Sequence, residues 1–193
     1  YPGIVEAHPP QRHDQNLNLA YTGSLDMGRG IDRILEMAAH LPSNYRVWLF
    51  GGKNEREIKQ MKNRIHEAGL HETVEVSGWL TQRELQQRLG KMQLGLLPLK
   101  DNFFNRYLTA PSKFFDYLSH SLPTVSSSLP ALDELVKHNN LGISVNWDQP
   151  NHVTREIVKL MGDPAKYNIM RDGVYRFAQE HTLEKRGRRI AEA

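Results

Sequence analysis

The stretch that decides the fold is residues 17–52, LNLAYTGSLDMGRGIDRILEMAAHLPSNYRVWLFGG. It opens with a short apolar run that stops at the turn residues Gly23 and Ser24. Beyond Gly28 and Gly30, the apolar residues Ile31, Ile34, Leu35, Ala38 and Leu41 recur every three or four positions until Pro42 ends the pattern. A second apolar run, YRVWLF, then closes on Gly51 and Gly52. Strand, helix and strand in that order, with glycines at both strand ends, make a βαβ unit.

The same alternation continues outward. TVEVSGW (73–79), QLGLLPL (93–99), LPTVSSS (122–128) and LGISVNW (141–147) read as further strands. Between them lie helical patterns. Residues 54–68 carry a stripe of Ile58, Met61 and Ile65 and end at Gly69 as a C-terminal cap. Thr81 with Glu84 forms a capping box ahead of Leu85 and Leu89. Pro111 is expected in the first turn of a helix whose apolar face is Phe114, Phe115 and Leu118. Parallel neighbours need crossovers, and right-handed crossovers place helices on both faces. The prediction is a doubly wound, Rossmann-like α/β domain with a parallel sheet of about six strands. Residues 1–16 read as a Pro-rich linker, 17–181 as the domain, and 182–193 as a C-terminal helix.

Composition narrows the chemistry. With 39% hydrophobic and 24% charged residues in 193, the chain has a globular balance. It has no cysteine, so a thiolate nucleophile, a disulfide, an iron–sulfur cluster and a cysteine zinc site are all excluded. No apolar run approaches the ~18 residues of a membrane-spanning helix, and YPGIVEAHPPQRHD has no signal-peptide pattern, so a cytoplasmic location is expected. A net charge of +3 suits an anionic ligand and gives no reason to expect a nucleic-acid partner.

In such a sheet ligands bind beyond the carboxyl ends of the strands, so the loops there are the place to search. YTGSLDMGRG (21–30) spaces its glycines somewhat like a P-loop, but Arg29 and Gly30 stand where lysine and a hydroxyl residue would be needed. What remains is a glycine loop (Gly23, Gly28) with a guanidinium beside a helix N-terminus, suited to a diphosphate. The alternative is a bare turn with a solvated Arg29. TAPSKFFDYL (109–118) puts Ser112 and Lys113 in a first helical turn, with Asp116 on the same stripe. That set suits a phosphate and sugar hydroxyls; a surface Lys113–Asp116 ion pair of a few tenths of a kcal/mol is the alternative. Trp79, next to Gly78, is placed to lie against a base or sugar, or else packs half-buried. His66 and His71 are five apart with Gly69 between them, so no metal site is read there. The basic tail EKRGRRIAEA reads as a solvated helix face, with peripheral membrane contact as the other reading.

Five blocks in this order, YTGSLDMGRGIDRILEMAAHLP, YRVWLFGGKNEREIKQM, VEVSGWLTQRELQQRL, LGLLPLKDN and PSKFFDYLSHSLPTVSSSLPALDELV, resemble the C-terminal donor-binding domain of group-one, family-four retaining glycosyltransferases of GT-B fold. The resemblance covers about residues 17–146. It implies that Arg29 and Lys113 stabilise the donor diphosphate as the catalytic cations, with no metal and no cofactor beyond the nucleotide-sugar co-substrate. It implies donor binding by Gly23, Gly28, Gly51, Gly52, Gly78, Trp79, Ser112 and Asp116, with Asp116 on the ribose. Ser24 stands where the family has an arginine, and Leu108 where it has the first of two glutamates. The resemblance implies a separate N-terminal acceptor-binding domain, so the chain is expected to be a fragment or a subunit that binds donor without turnover. Two further readings are the C-terminal half of a sugar-nucleotide 2-epimerase and a non-catalytic scaffold module of the same fold.

Overall fold

The structure, a computed structural model, describes residues 3–10, 17–107 and 111–191. Six strands form one sheet: β1 (Leu17–Thr22), β2 (Tyr45–Phe50), β3 (Val74–Gly78), β4 (Leu94–Leu97), β5 (Thr124–Ser127) and β6 (Gly142–Val145). All pair in parallel in the order β3-β2-β1-β4-β5-β6, so the chain reverses its direction of travel across the sheet between β1 and β4. Helices α1 (Ile31–Ala38), α2 (Glu55–Glu67), α3 (Gln82–Leu89), α4 (Phe103–Tyr107) and α5 (Ser112–Ser119) fall in the connections as far as β5. They are followed by α6 (Pro130–His138), α7 (Pro150–Met161), α8 (Pro164–Glu180) and α9 (Leu183–Ala191).

Local chemistry starts these helices, at the predicted capping box for α3 and at a cap on α2 that the sequence reading does not name. Asn54 Oδ1 accepts from Glu57 N at 2.9 Å ahead of α2, and the Thr81–Glu84 box is closed in both directions ahead of α3. Pro111 departs from expectation by one position. It is the extended N-cap of α5, at φ −67° and ψ 136°, and Ser112 is the first helical residue.

Side-chain alternation along the strands supplies two cores. Leu19 and Tyr21 of β1, with Val47 and Leu49 of β2, face α1, α2 and α7, while Ala20, Phe50 and Leu97 point the other way to α3, α5, α6 and α8. The doubly wound sheet predicted from the alternation of strands and helices is the one observed.

Residues 3–10, part of the linker expected over 1–16, pack against the domain. Ile4 is 1% exposed and bridges to Thr182, and its carbonyl accepts from Leu183 N at 2.8 Å. His8 N donates to Ser119 O at 2.7 Å, and Ser121 Oγ donates to His8 O at 2.6 Å. An apolar anchor, two backbone hydrogen bonds and the Ser121 side chain thus hold this segment to the end of α5, to the turn after it and to the start of α9. The rest of the expected linker, residues 1–2 and 11–16, lies outside the described residues.

Candidate functional site

The reversal between β1 and β4 opens the carboxyl edge of the sheet. Pairing of these strands is limited to Leu19 with Leu94 and Ala20 with Gly95, and beyond it they separate. The Tyr117 hydroxyl bridges the gap, accepting from Thr22 N at 3.0 Å and donating to Leu96 O at 3.1 Å. Its ring occupies space that any side chain at position 95 would need, which is why β4 carries glycine there. The sequence reading takes Phe114, Phe115 and Leu118 as the apolar face of α5 and does not single out Tyr117.

Above this bridge lies a cleft of about 750 Å3. It is lined by Asp26, Gly28 and Arg29 from the β1–α1 loop, by Pro98 to Lys100 and Phe104 from the β4–α5 connection, and by Pro111, Ser112 and Lys113. Three cationic residues, Arg29, Lys100 and Lys113, therefore line the cleft where the fold places its crevice. Lys113 Nζ lies 4.0 Å from the centre of the Tyr21 ring. Burial, and then the neighbouring Arg29 guanidinium, push its ammonium down to about 8. Among the described residues neither Arg29 nor Lys113 makes an ion pair. A half-buried ammonium beside a second cation, with no carboxylate to neutralise it, favours an anion in the space between.

The loop that carries Arg29 is braced. Tyr21 Oη donates to Ser24 O at 2.9 Å, and Ser24 Oγ donates to Asp26 Oδ2 at 2.6 Å. Lys53 Nζ reaches the same carboxylate at 3.4 Å, and these contacts hold Asp26 below the usual carboxylate range. Glu57 accepts from Leu25 N at 3.2 Å and from Lys53 N at 2.6 Å, tying the β1–α1 loop to the β2–α2 loop. A 3-10 turn at Met27–Arg29 then leads into Gly30, whose φ of +82° turns the chain into α1 with its Cα packed against the Pro98 carbonyl. Ser24, at the arginine-like position of the resemblance, is thus a strut for the loop rather than a cation.

The other expected site residues divide. Ser112, Lys113, Gly28 and Arg29 share the cleft. Gly23 sits directly beside Lys113, 3.4 Å separating the Nζ from where a Cβ would be. Gly51 continues the row, since Gly23 N donates to Phe50 O at 2.9 Å and Gly51 bridges to Gly78. Gly52 follows in the same β2 loop, and Trp79 projects from the end of β3 with its side chain 77% exposed, so it is not the half-buried packing residue of the alternative reading. Asp116 does not join Lys113. It lines a separate depression of about 80 Å3 with Gln82 and Gln86 of α3, and burial raises its carboxyl. The shared stripe and the Lys113–Asp116 ion pair are both absent, because Lys113 folds over Tyr21 toward the strand ends while Asp116 turns toward α3. Leu108 lies outside the described residues.

A second depression of about 610 Å3 adjoins the cleft along Pro98 to Lys100 and runs across the ends of β5 and β6, past Ser128, Asn146 and Trp147. Sequence reasoning gave no sign of it, because its walls come from four separate loops. Among the described residues no cluster of three histidine or acidic side chains could hold a metal ion, and no helix is long and apolar enough to cross a membrane.

A family model described as glycosyl transferases group 1 matches residues 16–163. The chain belongs to the group 1 glycosyl transferases. No curated protein matches the sequence. Several solved structures share the fold of this group 1 glycosyl transferase domain. HepE (Alr3699) of Anabaena, in complex with UDP and glucose, aligns with TM-score 0.73 and 18% identity over 92% of this chain and 48% of that one. The C-terminal domain of LpcC from Francisella tularensis, a group 1 family protein, aligns with TM-score 0.70 and 12% identity over 91% and 94%. The catalytic domain of the cholesterol-α-glucosyltransferase of Helicobacter pylori gives 0.67 and 12% over 85% and 98%. The chain spans about half the length of HepE. Its sheet is accordingly one Rossmann-like half of a GT-B fold, and the cleft of this glycosyl transferase domain lies where β1 and β4 part.

Proposed function

We propose that the domain binds a nucleotide-diphosphate sugar in the β1–β4 cleft and serves as the donor half of a retaining glycosyltransferase. The observation that carries this reading is the convergence of Arg29 and Lys113, neither paired with a carboxylate among the described residues, on one cleft at the strand ends. A diphosphate supplies the missing negative charge. Gly23, Gly51, Gly52, Gly78 and Trp79 then continue along the sheet edge as a shelf for the nucleoside. HepE, a structural relative, was solved with UDP, with UDP-glucose, and with UDP and glucose.

The chemistry follows from where charge develops. As the bond from the anomeric carbon to the diphosphate breaks, the leaving group gains negative charge, and prearranged cations stabilise that charge best where water is scarce. Arg29 and Lys113 do this here, with the first amides of α5 beside Ser112 adding to the field. Charge-assisted contacts of about 1.5–3 kcal/mol each, set against the entropy of binding, give affinities on the order of micromolar to millimolar. The sugar passes to an acceptor hydroxyl in polysaccharide, lipopolysaccharide or glycolipid assembly, with a second domain supplying the acceptor site.

Calorimetric titration with UDP, GDP and ADP and their glucose, galactose and N-acetylglucosamine conjugates tests the reading. Saturable binding of one nucleotide series, weakened about tenfold or more in Lys113→Ala by loss of a charge-assisted contact, is the expected result. Binding that Lys113→Ala leaves unchanged removes the cleft from consideration.

A further inference from the structure

We infer that Glu57 is a positioning residue for the donor, a clasp whose carboxylate fixes the loop carrying Arg29 against the loop that begins the nucleoside shelf. The inference rests on the donor reading and deepens it.

Glu57 stands half-buried in the first turn of α2, and each of its carboxylate oxygens takes a backbone N–H from a different loop. Oε1 accepts from Leu25 N of the β1–α1 loop at 3.2 Å, and Oε2 from Lys53 N of the β2–α2 loop at 2.6 Å. The Glu57 N–H donates to Asn54 Oδ1 at 2.9 Å, so the carboxylate is carried on a capped helix end. Around it the two loops are in direct contact. Gly23 N donates to Phe50 O at 2.9 Å, and a Cβ on Gly51 would overlap the Gly23 carbonyl. The Leu25 side chain packs over Gly51 and Gly52, and Lys53 Nζ meets Asp26 Oδ2 at 3.4 Å.

In the donor reading each loop holds one end of the ligand. Arg29 lines the diphosphate cleft, Gly51 and Gly52 begin the shelf, and Glu57 is outside the cleft lining. A ligand held at two points gains over either contact alone only while the span between them is fixed. A span fixed before binding needs no ordering when the ligand arrives. The sign of the effect separates this role from charge. A carboxylate near a diphosphate repels it, so removing its charge by itself tightens binding; loosening the span weakens it. Glu57→Gln keeps the side-chain length and one acceptor oxygen, but sets an amide NH2 against the other backbone N–H.

The test is calorimetric titration of the parent chain and Glu57→Gln with UDP, or with GDP or ADP if the panel above binds one of these more tightly. Inorganic pyrophosphate is measured by displacement of that nucleotide. Pyrophosphate reports on the cleft alone, whose loop keeps its own struts, Tyr21 Oη to Ser24 O at 2.9 Å and Ser24 Oγ to Asp26 Oδ2 at 2.6 Å. The nucleotide is expected to bind about tenfold more weakly to the variant as part of the two-point gain is lost, while pyrophosphate stays within about twofold. Asp163→Ala is the control. It removes the cap of α8, where Asp163 Oδ1 accepts from Lys166 N at 3.0 Å, and should leave both affinities unchanged. Nucleotide binding that is unchanged or tightened in Glu57→Gln overturns the inference, and so does an equal loss for nucleotide and pyrophosphate. A matching loss in Asp163→Ala overturns it too, since affinity would then follow stability. The donor reading fails by a different result, no nucleotide binding to the parent chain or binding that Lys113→Ala leaves unchanged, and this inference falls with it.

Discussion

Lys113 Nζ and the Tyr21 ring face each other at 4.0 Å, with the ammonium turned onto the aromatic face and away from Asp116 one helical turn on. A lysine parked on a ring keeps its charge weakly compensated, since a cation–π contact is worth about 0.5–2 kcal/mol and no carboxylate joins it. The site is therefore poised to respond to an anion and to pH.

That poise predicts proton-linked binding. Burial and the Arg29 guanidinium hold the Lys113 ammonium down to about 8, and a bound diphosphate raises that value by favouring the charged form. The complex then holds more protons than its separate parts, so affinity falls as pH rises above 8 and is near its limit below 7. Titrating UDP at pH 8.5 in buffers of different ionisation enthalpy should show uptake of part of a proton. A heat independent of buffer would place the ligand away from Lys113.

The Tyr117 hydroxyl should contribute measurably to stability. Tyr117→Phe keeps the ring but leaves Thr22 N and Leu96 O unpaired where the two strands separate. Buried unsatisfied groups cost about 1–3 kcal/mol, or roughly 2–4 °C in Tm for each kcal/mol in a domain of this size. Urea unfolding of the variant measures it; a midpoint equal to that of the parent would mean that water replaces the hydroxyl.

Gly28 and Gly30 look alike in the sequence and should behave differently. Gly30 has φ +82°, and a Cβ there would overlap the Pro98 carbonyl, whereas a Cβ on Gly28 meets nothing within 4 Å. Gly30→Ala loses about 1–2 kcal/mol from the left-handed backbone alone, with the overlap adding to it. Gly28→Ala stays within about 0.5 kcal/mol of the parent. Thermal unfolding of the two variants side by side decides it, and equal midpoints contradict the packing described.

His120 predicts an acid-side loss of stability. Its ring is buried under residues 3–10, 4.7 Å from the His8 ring, and burial, opposed by the hydrogen bond to the Asp116 carbonyl and aided by His8, holds its pKa below the usual value. The folded state thus binds fewer protons than the unfolded chain. The contribution is complete above the unfolded value of ~6.5 and declines as pH falls through the lower folded value. The pH dependence of the urea midpoint between 5 and 7 should flatten in His120→Gln, while a parallel shift across the whole range would exclude this histidine as the cause.

Much was legible along the chain because it depends on near neighbours. The alternation of apolar runs with helical stripes and the Thr81–Glu84 box act over a few residues, so periodicity and spacing alone determined the sheet, its parallel sense and the position of the strand-end loops. Arg29 and Lys113, 84 residues apart in the chain, were each legible as residues of strand-end loops, and only the family resemblance joined them in one role; the structure lines one cleft with both. Side-chain direction was another matter. Lys113 and Asp116 share a helix, and nothing in their spacing says that one folds over Tyr21 while the other turns to α3. Likewise Tyr117 and Gly95, Ile4 and Thr182, and the four loops of the second depression meet only when distant segments pack. Contacts between remote residues are chosen by the shape and volume left once the layers close, and only the tertiary structure decided them.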